Sequence, residues 1–149
     1  MSSKPRILFL CVHNAARGQM AEALCRVMCG DTFEPESAGL EPGTLNPLAI
    51  EVLKEIGLDI TAKVPRDVFD LVKTGRTYSY VITVCDQASA ERCPIFPGIT
   101  QRLHWDFPDP MAFEGSWEEK VTMTRGVLRM IEERLGEFCR EECGVTEGA

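Results

Sequence analysis

The chain has 149 residues, 44% of them apolar and 26% charged, which suits one soluble globular domain over 1–149 with a single buried core. A formal net charge of −7 argues against a nucleic-acid or anionic-membrane surface, no stretch reaches the apolar length of a membrane span, and the N-terminus carries no signal-peptide pattern. Seven scattered cysteines, an odd number, read as catalytic, redox or core thiols of a reducing compartment, so a cytoplasmic protein is expected.

In chain order, the apolar run Ile7 to Leu10 reads as a buried parallel strand ending at Cys11. After five intervening residues Arg17 opens a helical pattern with Met20, Leu24, Val27 and Met28 on one face, and Cys29-Gly30-Asp31 stops it. Phe33 to Ala38 reads as a second strand, closed by Gly39. Asn46 and Pro47 supply the N-cap and first turn of a helix with apolar face Ala49, Val52, Leu53 and Ile56, ended by Gly57. Asp67 to Lys73 is a short helix, Tyr80 to Val84 a β-prone strand ending at Cys85, and Thr100 to Trp105 a last strand. Trp117 to about Glu142 is a long helix with Leu128, Ile131, Leu135 and Phe138 inward. Strands alternating with helices imply right-handed crossovers and an α/β fold, three layers α/β/α around a four-stranded parallel sheet. Ligands bind beyond the carboxyl ends of such strands, where Cys11 and Cys85 both fall.

A thiol and a guanidinium thus sit at the two ends of a short loop that leads from a strand into a helix. Converging N–H groups, the helix dipole and an arginine make that position an anion site, and the same field favours a thiolate at Cys11 near neutral pH. A buried strand-end cysteine and a solvent-facing arginine are each common alone; their arrangement here is not. The stretch Cys11-Val12-His13-Asn14-Ala15-Ala16-Arg17, followed by Gln19-Met20-Ala21-Glu22, resembles the phosphate-binding loop of the low-molecular-weight tyrosine phosphatases and of the thioredoxin-coupled arsenate reductases built on the same fold. The resemblance runs from Ile7 to about Glu133 and implies that residues 12–17 hold a tetrahedral oxyanion against Cys11. That family carries a hydroxyl residue directly after the arginine, donating to the thiolate, where this chain has Gly18. One hydrogen bond to a charged group is worth about 1.5–3 kcal/mol, or roughly one to two pKa units. A weaker thiolate is therefore expected unless His13 or a water substitutes.

Leu103 to Met111 contains Asp106 and Asp109. Attack of a thiolate on a tetrahedral oxyanion needs an acid for the departing oxygen, and a bound anion keeps a nearby carboxyl protonated. Asp109-Pro110 matches the family's acid loop, which implies Asp109 as the acid, with Asp106 solvated or capping. Met111-Ala112 stands where many of the phosphatases have an aromatic pair, favouring a small inorganic oxyanion over a phosphotyrosine peptide.

Cys85 and Cys93 flank a segment in which Asp86 is a fair N-cap and Gln87 to Arg92 suit a helix. Eight residues of helix span about 12 Å, whereas a disulfide needs Cα atoms within roughly 7 Å, so pairing requires unwinding. The segment looks like the redox loop of the arsenate reductases, which has one residue fewer between its thiols. The resemblance implies Cys85 as second nucleophile and Cys93 as resolving thiol.

Among supporting residues, Asn14 tolerates the left-handed backbone of an anion nest, and Ser37 looks like the family serine that hydrogen-bonds the loop. Asn14, Glu22, Ser37 and Asp67 resemble a potassium site of some arsenate reductases; no cofactor is otherwise required. His104 is read as structural and a lone His13 as exposed. Cys25/Cys29 and Cys139/Cys143 each share a helical face; a tetrathiolate metal site is conceivable, with core residues and exposed C-terminal thiols the simpler reading. The expectation is a cytoplasmic, monomeric arsenate reductase, with phosphate or sulfate competing for the anion site and a thioredoxin-like dithiol as reductant. The alternatives are a low-molecular-weight phosphatase hydrolysing a phosphocysteine and a non-catalytic oxyanion or redox module.

Overall fold

In a computed structural model that describes residues 4–143, with side chains through Glu142, the strands form one parallel sheet in the order β2-β1-β3-β4. They are β1 (Arg6–Cys11), β2 (Glu34–Gly39), β3 (Tyr80–Thr83) and β4 (Gln101–His104), and the helices are α1 (Arg17–Cys29), α2 (Pro47–Glu55), α3 (Val68–Lys73), α4 (Gln87–Ala90) and α5 (Trp117–Cys143). β1 is central, flanked in register by β2 (Leu10 beside Ala38) and β3 (Leu10 beside Thr83). Strand pleating divides its residues between two apolar layers. Ile7, Phe9 and Cys11 join the layer under α1, α2 and α5, while Leu8 and Leu10 join the layer with Val68 and Leu71 of α3. The expected three-layer architecture is the one found.

Local chemistry sets the ends of several elements. Asn46 Oδ1 accepts from Leu48 N at 2.8 Å at the start of α2, Asp67 Oδ1 from Phe69 N at 2.8 Å at the start of α3, and Asp86 from Ser89 N at 3.2 Å at the start of α4. The inward face of α5 is as expected, with Phe138 packed on the rings of Phe33, Tyr80 and Trp105 at 5.1–5.7 Å between centroids.

Three expectations about packing are corrected. Val27 is 65% exposed, because α1 turns Cys25 and Cys29 toward α5 in its place. Ile56 is also exposed, since it caps α2 after the last helical residue and leaves the apolar face. Cys139 is not an exposed thiol: it is buried and joined by a disulfide to Cys29, tying α5 to α1. Cys25 Sγ lies 3.8 Å from Cys29 Sγ. The side chain of Cys143 lies outside the described residues. In this disulfide form two of the four sulfurs named for a tetrathiolate site, those of Cys29 and Cys139, are bonded to each other.

Candidate active site

The loop between β1 and α1 is shaped by what its carbonyls do. The carbonyl oxygens of Cys11, Val12, His13 and Ala15 accept from the backbone N–H groups of Leu40, Glu41, Gly43 and Asn46, at 2.7–3.1 Å. With the carbonyls engaged on that side, the loop's N–H groups are left for the concave side, where Asn14 N donates to Cys11 Sγ at 3.2 Å. Asn14 has φ 53°, the left-handed turn expected of it. Gln19 Nε2 braces the turn from α1 by donating to Asn14 O at 3.1 Å. Among the described residues neither polar atom of the Asn14 side chain has a hydrogen-bond partner.

Gly39, which ends β2 beside Cys11, is a positioning residue. A Cβ there would lie 2.8 Å from Val12 O and 2.9 Å from Asn14 N, so only glycine lets β2 approach the loop this closely. A glycine closing the strand beside β1 was the available signal.

Arg17 and Asp109 meet over Cys11. Arg17 Nη2 lies 3.4 Å from Asp109 Oδ2, Arg17 Nη1 donates to Phe107 O at 3.2 Å, and Met111 N donates to Asp109 Oδ1 at 3.0 Å. The cavity lined by Cys11, His13, Ala15, Ala16, Arg17, Asp109 and Met111 holds only about 10 Å³, room for roughly one water. Asp106 is exposed, as expected, and His13 Nδ1 lies 2.9 Å from Glu41 O. His104 is exposed, with Nδ1 2.7 Å from Thr83 Oγ1, in keeping with a structural role.

The surroundings of Cys11 act on its thiol in both directions. Burial pushes this thiol above its ordinary value and outweighs the Gly18 N–H, the Arg17 charge and the Asn14 N–H, which favour the thiolate, while Asp109 opposes it. The Gly18 backbone N–H faces the sulfur, and a Cβ at Gly18 would meet Cys11 Sγ at 3.1 Å.

Cys85 follows β3, the strand beside β1, and packs in the same apolar layer as Cys11. Burial raises its pKa to about 11 against the pull of Arg17, and the Cys11 charge acts on it in turn. Cys93 is held apart from this pair. It packs in the opposite layer with Leu8, Leu10, Tyr78 and Phe96, and its thiol, also pushed up by burial, lies 3.4 Å from Pro94 O. The structure brings Cys11, Arg17 and Asp109 together around one cavity, sets Cys85 within the field of Arg17 and Cys11, and holds Cys93 in the opposite layer.

Ser37 does not bond the loop as expected; its hydroxyl donates to Glu22 Oε1 at 2.6 Å. Glu22 Oε2 is met by Lys63 Nζ at 2.5 Å and Arg26 Nη2 at 2.9 Å, so its charge is neutralised within the protein. Asp67 is occupied in capping α3. Of the residues expected at a potassium ion, Asn14 Oδ1 has no hydrogen-bond partner among the described residues, while Glu22, Ser37 and one Asp67 oxygen are engaged within the protein. Lys63 was not anticipated, because its partner lies 41 residues away in sequence.

A four-stranded parallel sheet with a Cys-loop-Arg anion nest at the carboxyl end of its central strand defines a phosphatase-type oxyanion site. The chain belongs to the low molecular weight phosphotyrosine protein phosphatase family, whose profile matches residues 6–144. Within that family, an arsenate reductase of Bacillus subtilis (strain 168) is 39% identical over 132 residues, covering 89% of this chain and 93% of its own. Two solved structures are similar as well. An arsenate reductase from Archaeoglobus fulgidus superposes with a TM-score of 0.71 at 30% identity, over 89% of this chain and 97% of that one. A thioredoxin-dependent arsenate reductase of Corynebacterium glutamicum gives a TM-score of 0.63 at 32% identity, over 91% of this chain and 63% of the other.

Proposed function

We propose that this protein reduces arsenate to arsenite by a three-thiol relay and is regenerated by a thioredoxin-type dithiol. Arsenate binds the N–H groups of residues 12–17 and the Arg17 guanidinium, with phosphate and sulfate as competing anions. The Cys11 thiolate displaces one arsenate oxygen, which leaves as water with a proton from Asp109, and arsenic remains As(V). Cys85, as thiolate, attacks the Cys11 sulfur; the S–As electron pair stays with arsenic, which departs as As(III), leaving a Cys11–Cys85 disulfide. Cys93 then attacks Cys85, releasing the Cys11 thiolate and moving the disulfide to Cys85–Cys93. An external dithiol takes that disulfide over when its potential is more reducing.

The observation that carries this reading is the second thiol, Cys85, packed in the layer of Cys11 and within the field of Arg17. A hydrolytic phosphatase has no use for a thiol there. The reducing cytoplasm suits such a relay, and a monomer suffices because every group in it comes from one chain. No cofactor enters the scheme. Lys63 and Arg26 at Glu22 support turnover independent of potassium.

The test is arsenate-dependent oxidation of NADPH with thioredoxin and thioredoxin reductase present. Single replacement of Cys11, Cys85 or Cys93 by serine is expected to abolish it. Steady hydrolysis of a small aryl phosphate without arsenate turnover would establish the phosphatase instead. Anion binding with neither activity would leave the non-catalytic module.

A further inference from the structure

Cys25, Cys29 and Cys139 lie outside the relay. Cys29 ends α1, twelve residues beyond Arg17, so at helical rise this cluster stands roughly 18 Å from the anion site. Cys25 and Cys29 project from one face of α1 with their sulfurs 3.8 Å apart, and Cys29 is bonded to Cys139 of α5, with the Cα atoms of that pair 6.2 Å apart. Three sulfurs from two packed helices are therefore gathered around Cys29. All three are buried, and beside them a cavity of about 350 Å³, lined by Arg26, Gly30, Cys29, Cys139 and Arg140, offers a way in. A disulfide is uncommon in a reducing compartment, so the cluster there is one of thiols.

We propose that the reduced cluster is a second arsenic site, which captures As(III) on the sulfurs of Cys25, Cys29 and Cys139. Reduction of the Cys29–Cys139 disulfide takes two electrons and two protons from a dithiol of the thioredoxin type. Arsenous acid then condenses with the three thiols: three S–As bonds form, three As–O bonds break, three waters leave, and arsenic stays As(III). Trivalent arsenic has three valences for three sulfurs, and the product is uncharged. Zinc on three thiolates would leave a net negative charge in an apolar core, which is strongly unfavourable. The neutral complex suits this layer and would tie α1 to α5 as the disulfide does. This site goes beyond the reductase reading and needs no turnover.

The test uses the full chain with the relay thiols removed (Cys11→Ser, Cys85→Ser, Cys93→Ser), so that binding and catalysis are read apart. The protein is reduced with a trialkylphosphine, desalted without oxygen and titrated with sodium arsenite. Retained arsenic is measured by elemental mass spectrometry, with the near-ultraviolet sulfur-to-arsenic band and a count of remaining thiols. The expected result is one arsenic per chain and three thiols consumed. Cys29→Ser or Cys139→Ser should abolish retention and Cys25→Ser weaken it at least tenfold. The same protein with its disulfide intact, a control needing no substitution in the cluster, should retain none. Equal retention by the disulfide form, or none by the reduced form, would overturn the site. Retention lost on Cys143→Ser but not on Cys25→Ser would overturn Cys25 as the third ligand. None of these outcomes bears on arsenate turnover by the unaltered protein.

Discussion

Cys11 holds its proton more tightly than a surface thiol, because burial outweighs the donors around it. Alkylation by iodoacetamide should therefore rise with pH to a midpoint above the ordinary thiol value of about 8.5. Asp109→Asn removes a charge that opposes the thiolate and releases Arg17 from its ion pair, so the midpoint should fall. The same variant should lose about 10²–10⁴-fold in arsenate turnover through the missing acid. Opposite signs for thiol reactivity and turnover separate the two roles of Asp109, and a parallel loss of both would contradict them. Gly18→Ser tests the absent hydroxyl. Its Cβ would sit 3.1 Å from Cys11 Sγ and 3.3 Å from Asn14 Oδ1, so the loop must yield by a few tenths of an ångström. If Oγ then donates to the sulfur, the midpoint should drop by roughly one to two units; a rise would mean that the added volume, not the donor, dominates. These residues were legible in the sequence because Cys11, Arg17 and Asp109 belong to short contiguous patterns. The sign of the Cys11 shift was not, because it depends on burial supplied by residues distant in the chain.

Helix α4 stands between the second and third thiols. It is four residues long, held by the Asp86 cap and by Ala90, which packs in the layer of Cys85, while Cys93 faces the other layer. Transfer of the disulfide from Cys85 to Cys93 therefore needs α4 to open. Asp86→Ala removes the cap and should speed that transfer severalfold while leaving the Cys11–arsenate step unchanged; acid quenching followed by peptide mapping of the disulfides reads both. An unchanged transfer rate would mean that opening of α4 is not limiting. Asp86 as a cap was legible in the sequence, but the placement of the two thiols on opposite faces of the sheet was not, since strand pleating and the path of 91–100 decide it. The ion group at α1 was hidden for a related reason. Glu22 gains Lys63 only when the segment before α3 folds back on α1. Lys63→Met leaves that buried carboxylate with Arg26 and Ser37, a loss of about 1–3 kcal/mol. Thermal melts should then become potassium-dependent, the ion recovering part of the loss where sodium does not. Identical melts in the two salts would show that Arg26 alone satisfies the site.

Over the whole molecule, the groups whose titration is shifted by folding lie at two ends of the pH scale. Burial raises the Glu36 carboxyl, but its bonds from Arg76 and Tyr78, with the nearby Arg66, overcome this and hold it below the ordinary carboxyl range. A depressed carboxyl stabilises the fold above its unfolded value, about 4.3, and that contribution is lost as pH falls through the folded value. Cys11 and Cys85 act at the other end. Both are raised by burial, Cys85 to about 11, so their contribution is complete below about 8.5 and is lost as pH rises toward the folded values. The sequence anticipated neither limb: Glu36 sits in a polar stretch, Glu34 to Gly39, that pairs beside β1, and its partners Arg76 and Tyr78 lie 40 and 42 residues further along the chain. Urea midpoints should accordingly form a plateau from about pH 5 to 8 with a decline on each side. Glu36→Gln should lower the plateau, because Arg76 and Arg66 lose their counter-charge, and make the acid limb shallower. Cys85→Ala should leave the acid limb alone and make the alkaline limb shallower. An acid limb of unchanged slope in Glu36→Gln would shift the cause to the exposed carboxylates paired with Arg92 and Arg125, Glu41 and Glu55. Added salt would then weaken that limb, which it should do far less for a carboxylate buried like Glu36.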